Sequence, residues 1–194
     1  MPNAMIETRI RGRIEPFLDP IGRWLARLGI TPMFLTVTGL VLAIVGAVLV
    51  AQAAVLAGGL VFLAGSALDG LDGTVARVTG TASRRGALID SLADRVGETA
   101  MWGAIAFWLS DTPRLVMACI FCLAGALLTS YLRAKAEAVG ANGSGGFIGR
   151  GERVVLMAVG LIFGIMEPVL WVLVAGVWLT VAQRFRVIWQ RIED

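Results

Sequence analysis

Residues 33–68 read MFLTVTGLVLAIVGAVLVAQAAVLAGGLVFLAGSAL, 36 consecutive positions without one charged side chain. A single helix of that length would extend roughly 54 Å at about 1.5 Å per residue, well beyond a hydrocarbon core of about 30 Å. The run is therefore two membrane spans joined by a tight turn, which Gln52 marks near its middle. Working outward, further apolar stretches cover residues 96–110, 115–132, 154–166 and about 168–181, with Glu167-Pro168 read as the turn between the last two. The pattern predicts an all-α integral membrane chain with six transmembrane helices. Composition agrees, since 57% hydrophobic and 16% charged residues exclude a water-soluble globule.

Lys and Arg collect on the cytoplasmic side of membrane proteins. Six spans would place the N-terminal segment, the second-to-third and fourth-to-fifth connections and the C-terminus on one side, and these hold 16 of the 17 basic residues; Arg114 is the exception. Both termini are thus expected in the cytoplasm, in a multi-pass protein of the cell membrane. Within residues 1–30, Ile6, Ile10, Ile14, Phe17, Leu18, Ile21, Trp24, Leu25 and Leu28 recur at helical spacing opposite the arginines, as in an amphipathic helix lying in the interface. No uninterrupted apolar segment follows those arginines, so the segment does not read as a signal peptide. The organisation expected is a juxtamembrane helix over 1–30 and a six-helix membrane domain over 31–194.

The net charge of +3 comes from arginines that flank spans rather than from a soluble basic domain. The partners it suggests are anionic membrane lipids and phosphorylated small molecules, not nucleic acid. Cys119 and Cys122 form a CxxC inside an apolar span in a chain with no other Cys and no His, so they read as packing residues rather than a zinc site or a disulfide framework. The glycine-rich segment 140–151 reads as a flexible cover over a site.

Chemistry concentrates between the second and third spans. Asp69, Asp72, Asp90 and Asp94 fall within 26 positions and are four of only fourteen acidic residues. The first two are i, i+3 and the last two i, i+4, so each pair shares a helix face, and antiparallel packing across the 77–86 connection would bring all four together. Convergent carboxylates at a membrane boundary repel one another unless cations neutralise them. Oxygen-only ligands favour a hard ion, Mg²⁺ or Mn²⁺, with room for two. Gly70, Gly73 and Gly86 accompany the acids and suggest close approach to the backbone.

The pattern DxxDGxxARx8GxxxDxxxD, from Asp69 to Asp94, is matched without a gap, and by it the chain resembles the CDP-alcohol phosphotransferase family. The resemblance implies a six-helix membrane enzyme, usually a homodimer, that binds a cytidine-diphosphate lipid and divalent metal at the cytoplasmic face. It makes Asp69, Asp72 and Asp90 metal ligands, and Asp94 a metal neighbour and the general base. Gly73, Ala76, Arg77 and Gly86 would line the cytidine-diphosphate site with Ser83 close by, and backbone groups of Met33, Phe34, Leu35 and Thr36 would touch the cytidine. The chemistry is consistent with this: an attacking hydroxyl needs a carboxylate base, a diphosphate needs charge neutralisation, and Arg77 can hold a phosphate in bidentate fashion.

The second half, with Ser130-Tyr131-Leu-Arg133-Ala-Lys135, Gly149-Arg150-Gly151-Glu152-Arg153 and Gln183-Arg184, is similar to the phosphatidylinositol phosphate synthases of actinobacteria. That resemblance implies a pocket of Arg133, Arg153 and Arg184 for the phosphate of inositol 1-phosphate, with CDP-diacylglycerol as donor. A dianionic acceptor approaching a carboxylate cluster would need such a cationic cradle. The chain departs from that group at Met33, Gly149 and Gly151. The nearest rival is the same transfer to glycerol 3-phosphate, or from an archaeal-type ether lipid donor. A divalent-cation transporter would carry its acids at the bilayer midplane with an internal repeat, and neither is read here.

Overall fold

The computed structural model describes residues 18–140, 143 and 145–191. After a helix over residues 18–27 (α1) the chain forms α2 (Pro32–Ala51), α3 (Val55–Asp69), α4 (Asp72–Val78), α5 (Arg84–Trp108), α6 (Pro113–Ala138), α7 (Arg150–Ile162) and α8 (Met166–Trp189). No strand occurs among the described residues. Thr31 starts α2 by accepting the Phe34 N–H at 3.2 Å, with Pro32 in the first turn where its missing N–H costs nothing. Ser83 starts α5 in the same way, accepting the Gly86 N–H at 3.0 Å.

The six long helices close a ring: α2 packs on α3, α3 on α7, α7 on α8, α8 on α6, α6 on α5, and α5 back on α2. Small residues make the α2–α3 contact tight. A Cβ on Gly39 would sit 2.8 Å from Asp69 Cβ, and one on Gly46 would sit 2.8 Å from Gly58 O. In lipid, where apolar surface alone gives helices little reason to associate, such backbone approach supplies the packing energy. Gly58, Phe62, Gly65 and Asp69 are all buried on the α3 face that meets α2, so the packing that builds the helix pair also fixes Asp69. Met101, Trp102, Ile105, Met157, Leu161, Leu170 and Leu173 fill the middle of the ring.

The chain is an all-α integral membrane protein. Four helical runs are long and apolar enough to cross a bilayer: Pro32–Ala51, Val55–Val78, Pro113–Ala138 and Met166–Trp189. Helices also occupy the other two places expected to span. However, α5 carries Arg84, Arg85, Asp90, Asp94, Arg95 and Glu98, and α7 has 13 residues, fewer than the about 20 needed to cross unaided. Of the segment expected to form the interfacial helix, 1–17 lies outside the described residues, and 18–27 is helical.

Two local expectations change. The last turn lies at residues 163–165, where Gly164 has φ +67°, and Glu167-Pro168 falls inside the first turn of α8, a place proline tolerates. The described part of the glycine-rich segment is docked rather than open: Ile148 is buried and its N–H donates to Thr180 Oγ1 at 2.9 Å, while Gly149 N–H donates to Glu152 Oε2 at 3.0 Å to begin α7.

Candidate active site

Asp69 and Asp72 lie on either side of a short interruption in the helix, and their carboxylates still converge. α3 ends at Asp69, the chain turns through Gly70 and Leu71, and Asp72 opens α4. Asp72 meets α2, where Thr36 Oγ1 donates to its Oδ2 at 2.5 Å. Asp90 and Asp94 sit one turn apart on α5, and carboxylate oxygens of Asp69, Asp72 and Asp90 lie within 4.8 Å of one another. Metal–oxygen distances of about 2.0–2.6 Å put ligands of one ion no more than about 5 Å apart, so this triad fits a single Mg²⁺, Mn²⁺ or Ca²⁺-sized cation. Asp69 is 5% exposed and its Oδ1 is buried without a hydrogen-bond partner among the described residues, so a cation held by the triad would offset the cost of burying it.

Asp94 lies beside the triad and is held by arginines: Arg95 Nη1 donates to its Oδ2 at 3.1 Å, and Arg150 Nη2 lies 2.6 Å from its Oδ1. The same Arg150 nitrogen donates to Asp69 Oδ2 at 3.1 Å. Both α5 acids precede the apolar stretch that begins at Val96. Burial, then the neighbouring Asp72 and Asp69, pushes the Asp90 carboxyl up to about 6. Asp94 is also raised, by burial first; Arg150 opposes this while Asp69 and Asp90 add to it. Carboxyls that resist ionisation in this way bind protons unless a cation offsets their charge.

Two cavities meet at the triad, and Asp72, Gly73 and Asp90 line both. The larger, about 380 Å³, is walled by Met33 and Thr36 of α2, Gly73 and Ala76 of α4, and Ser83 and Gly86 at the start of α5. These are six of the residues expected at a cytidine-diphosphate site. A Cβ on Gly73 would meet only Arg77 Nη1, at 3.7 Å, so its backbone stays open to the cavity. Phe34 is 59% exposed, and Leu35 is buried against Leu25 and Val75; neither lines the cavity. Arg77 lines the second cavity, about 310 Å³, with Asp94 and Arg150, and donates to Thr74 Oγ1 at 3.2 Å.

The three arginines expected to form one pocket are divided. Arg184 donates to Thr129 O at 2.7 Å and Gly145 O at 2.6 Å. Arg133, one turn after Thr129, is exposed and paired with Glu137, and its backbone is where a Cβ on Gly143 would collide, at 2.8 Å. Arg153 stands apart, 2% exposed, with Nε 2.6 Å from Glu98 Oε1 and Nη2 2.8 Å from Oε2. Two residues of the site escaped the sequence reading, Arg150 and Glu98. Glu98 had a signal, since it is the one acid in the 96–110 stretch and continues the four-residue spacing of Asp90 and Asp94.

A model of the CDP-alcohol phosphatidyltransferase family matches residues 29–183, which include α2 to α7, most of α8 and all four aspartates. The chain belongs to this family. It is a membrane-bound transferase. Among curated relatives of this transferase, the phosphatidylinositol phosphate synthase of Corynebacterium glutamicum is 36% identical over 181 residues, covering 88% of this chain and 83% of the relative. Among solved structures, the phosphatidylinositol phosphate synthase of Mycobacterium tuberculosis with CDP-DAG bound superposes with a TM-score of 0.81 at 30% identity, covering 91% of this chain and 98% of the other. The same enzyme in complex with manganese and citrate gives a TM-score of 0.80 at 32% identity, covering 89% and 88%.

Proposed function

We propose that this transferase moves the phosphatidyl group of CDP-diacylglycerol onto the hydroxyl of inositol 1-phosphate, giving phosphatidylinositol phosphate and CMP. The observation that carries the proposal is the meeting of three carboxylate oxygens within 4.8 Å at the wall shared by two cavities, one of them about 380 Å³ and glycine-lined. The relatives described above, named as phosphatidylinositol phosphate synthases, support the acceptor.

Asp69, Asp72 and Asp90, with Asp94 beside them, would hold Mg²⁺ or Mn²⁺, two per subunit. Bound metal would supply positive charge to the diphosphate as CMP departs. The remaining work falls to the chain. Met33 and Thr36, which line the larger cavity, present the start of α2 to the cytidine, with Phe34 and Leu35 between them directed elsewhere, and Gly73, Ala76, Ser83 and Gly86 admit the diphosphate close to the backbone. Arg77, lining the second cavity, contacts a phosphate. Asp94 accepts the proton of the attacking hydroxyl, since it is the carboxylate that stands beside the triad and lines the second cavity. Arg133 and Arg184, bridged by the glycine-rich segment, provide the cationic side of the acceptor site, whereas Arg153 is committed to Glu98.

The ring supports a six-span reading in which α5 and α7 complete the bilayer crossing between the four apolar helices, with both termini and the aspartates on the cytoplasmic side, in a homodimer. Labelling of single cysteines with a membrane-impermeant maleimide would then mark position 114 from outside and position 191 only after lysis; the reverse pattern overturns the orientation. Two copies per particle are expected by light scattering of the detergent-solubilised protein.

The acceptor assignment is tested in liposomes containing CDP-diacylglycerol, by identifying the lipid formed with inositol 1-phosphate by mass spectrometry. Arg184→Ala should raise the acceptor KM at least tenfold while leaving the CDP-diacylglycerol KM within twofold. An unchanged acceptor KM would remove Arg184 from the pocket.

A further inference from the structure

The charged side chains of α5 and α7 form two stacked layers. Asp90, Asp94 and Glu98 recur every four residues along one face of α5; Arg150 and Arg153 are one turn apart on α7. In the outer layer, Arg150 reaches Asp94 and Asp69; in the inner layer, Arg153 grips Glu98 with both nitrogens of its fork at 2.6 and 2.8 Å. The inner pair is 2% and 7% exposed, and Glu98 lines a small cavity with Phe62, Ala93, Gly97 and Val154, as do Asp69 and Arg150. A planar, bidentate contact this deeply buried has one good geometry, so it sets both the rotation of α7 about its axis and its height against α5. Apolar packing of α7 on α3 and α8 leaves those two degrees of freedom loosely fixed, because apolar contacts are not directional.

We infer that Glu98 and Arg153 are positioning residues for the transferase reaction. Their buried fork fixes the register of α7 on α5 and thereby sets Arg150 against Asp94 and Asp69. This rests on the reading of the aspartate cluster as the reaction centre. It assigns to Arg153 a role distinct from contact with the acceptor. Glu98 lines a small cavity together with Asp69 and Arg150 and is not among the residues that wall the larger, nucleotide-sized cavity, so it adjoins the reaction centre from behind, through these two residues.

The test compares Glu98→Gln, Glu98→Asp, Arg153→Met and Arg150→Gln, each checked for a monodisperse peak in detergent. Glu98→Asp keeps the charge but shortens the arm, so it remains informative if Glu98→Gln does not fold. CMP release should fall at least tenfold in kcat for Glu98→Asp and Arg153→Met, with acceptor KM changed less than twofold. In an Arg150→Gln background, Glu98→Asp should cost less than a further twofold, because the element it positions is already gone. Nitroxides at the exposed positions 96 and 155, with Cys119 and Cys122 replaced by alanine, should give one narrow distance that broadens in Glu98→Asp. A tenfold rise in acceptor KM for Arg153→Met with Glu98→Asp unaffected would overturn the inference and make Arg153 an acceptor ligand. So would variants that lose thermal stability but keep kcat. Absence of CMP release by the parent enzyme with inositol 1-phosphate would instead remove the proposed reaction and leave the spin-label distances to judge the register.

Discussion

Thr36 of α2 donates a 2.5 Å hydrogen bond to Asp72 Oδ2, tying the first residue of α4 to a helix 36 positions earlier in the chain. Thr36 is 4% exposed, so no water replaces it. Thr36→Val keeps the shape and deletes the donor, leaving the Asp72 oxygen free to rotate. A hydrogen bond to a charged group contributes about 1.5–3 kcal/mol, so the Mg²⁺ concentration for half-maximal rate should rise about tenfold or more. Thr36→Ser should recover most of it. Equal Mg²⁺ dependence in the valine variant would show that Asp72 is placed by α4 alone.

Gly39 makes the second link between packing and chemistry. Its missing side chain leaves room for Asp69 Cβ and Gly65 O, which a Cβ would meet at 2.8 and 2.9 Å. Both atoms are held by the α3 backbone, so Gly39→Ala must push α3 away and carry Asp69 with it. Overpacking of this kind costs about 1–3 kcal/mol. The thermal midpoint in detergent should drop and metal-dependent activity should fall more than tenfold; Gly103→Ala, with nothing within 4 Å, serves as the control that changes neither.

The raised carboxyls set a pH dependence. With Asp90 shifted from 3.8 to about 6, the folded protein holds more protons than the unfolded chain between those values. Stability is then highest below about pH 4 for this group and declines as pH rises through about 6. In EDTA the thermal midpoint should therefore decrease from pH 5 to pH 7, and added Mg²⁺ should restore it most at pH 7, where the carboxyls are ionised. A midpoint that rises over this interval in EDTA would mean that Asp90 is ionised without help.

Asp94 is assigned a proton rather than a lipid. Asp94→Asn should reduce kcat at least a thousandfold while CDP-diacylglycerol still binds, measured as protection of the protein against thermal unfolding by the lipid. Turnover within tenfold of the parent would sink the general-base role.

The aspartates and the apolar runs were legible because each depends on spacing within one element: four acids in a fixed pattern, and 36 uncharged positions that fold back near Gln52. Tertiary consequences were less so. The interruption between α3 and α4 leaves no mark in the sequence, because Gly70 and Leu71 keep right-handed helical angles and the i, i+3 acids still converge. Arg150 read as one more cytoplasmic arginine, since nothing local says that the helix starting at Gly149 aims its first side chain at Asp69, 81 residues away. Arg153 was grouped with Arg133 and Arg184 by resemblance, and only the position of Glu98 on the facing helix separates it from them. Helix α7 shows the same limit, for its 13 residues fall short of a span and its place in the ring is set by packing against α3 and α8.

Substrate choice is read most directly from CMP release by the purified enzyme in detergent with CDP-diacylglycerol and Mg²⁺, offered inositol 1-phosphate, free inositol or glycerol 3-phosphate in parallel. The expected result is release with inositol 1-phosphate alone, stopped by EDTA and restored by Mg²⁺ or Mn²⁺. Release with glycerol 3-phosphate alone would contradict the acceptor while keeping the aspartate chemistry, and release unaffected by EDTA would contradict the metal-dependent site itself.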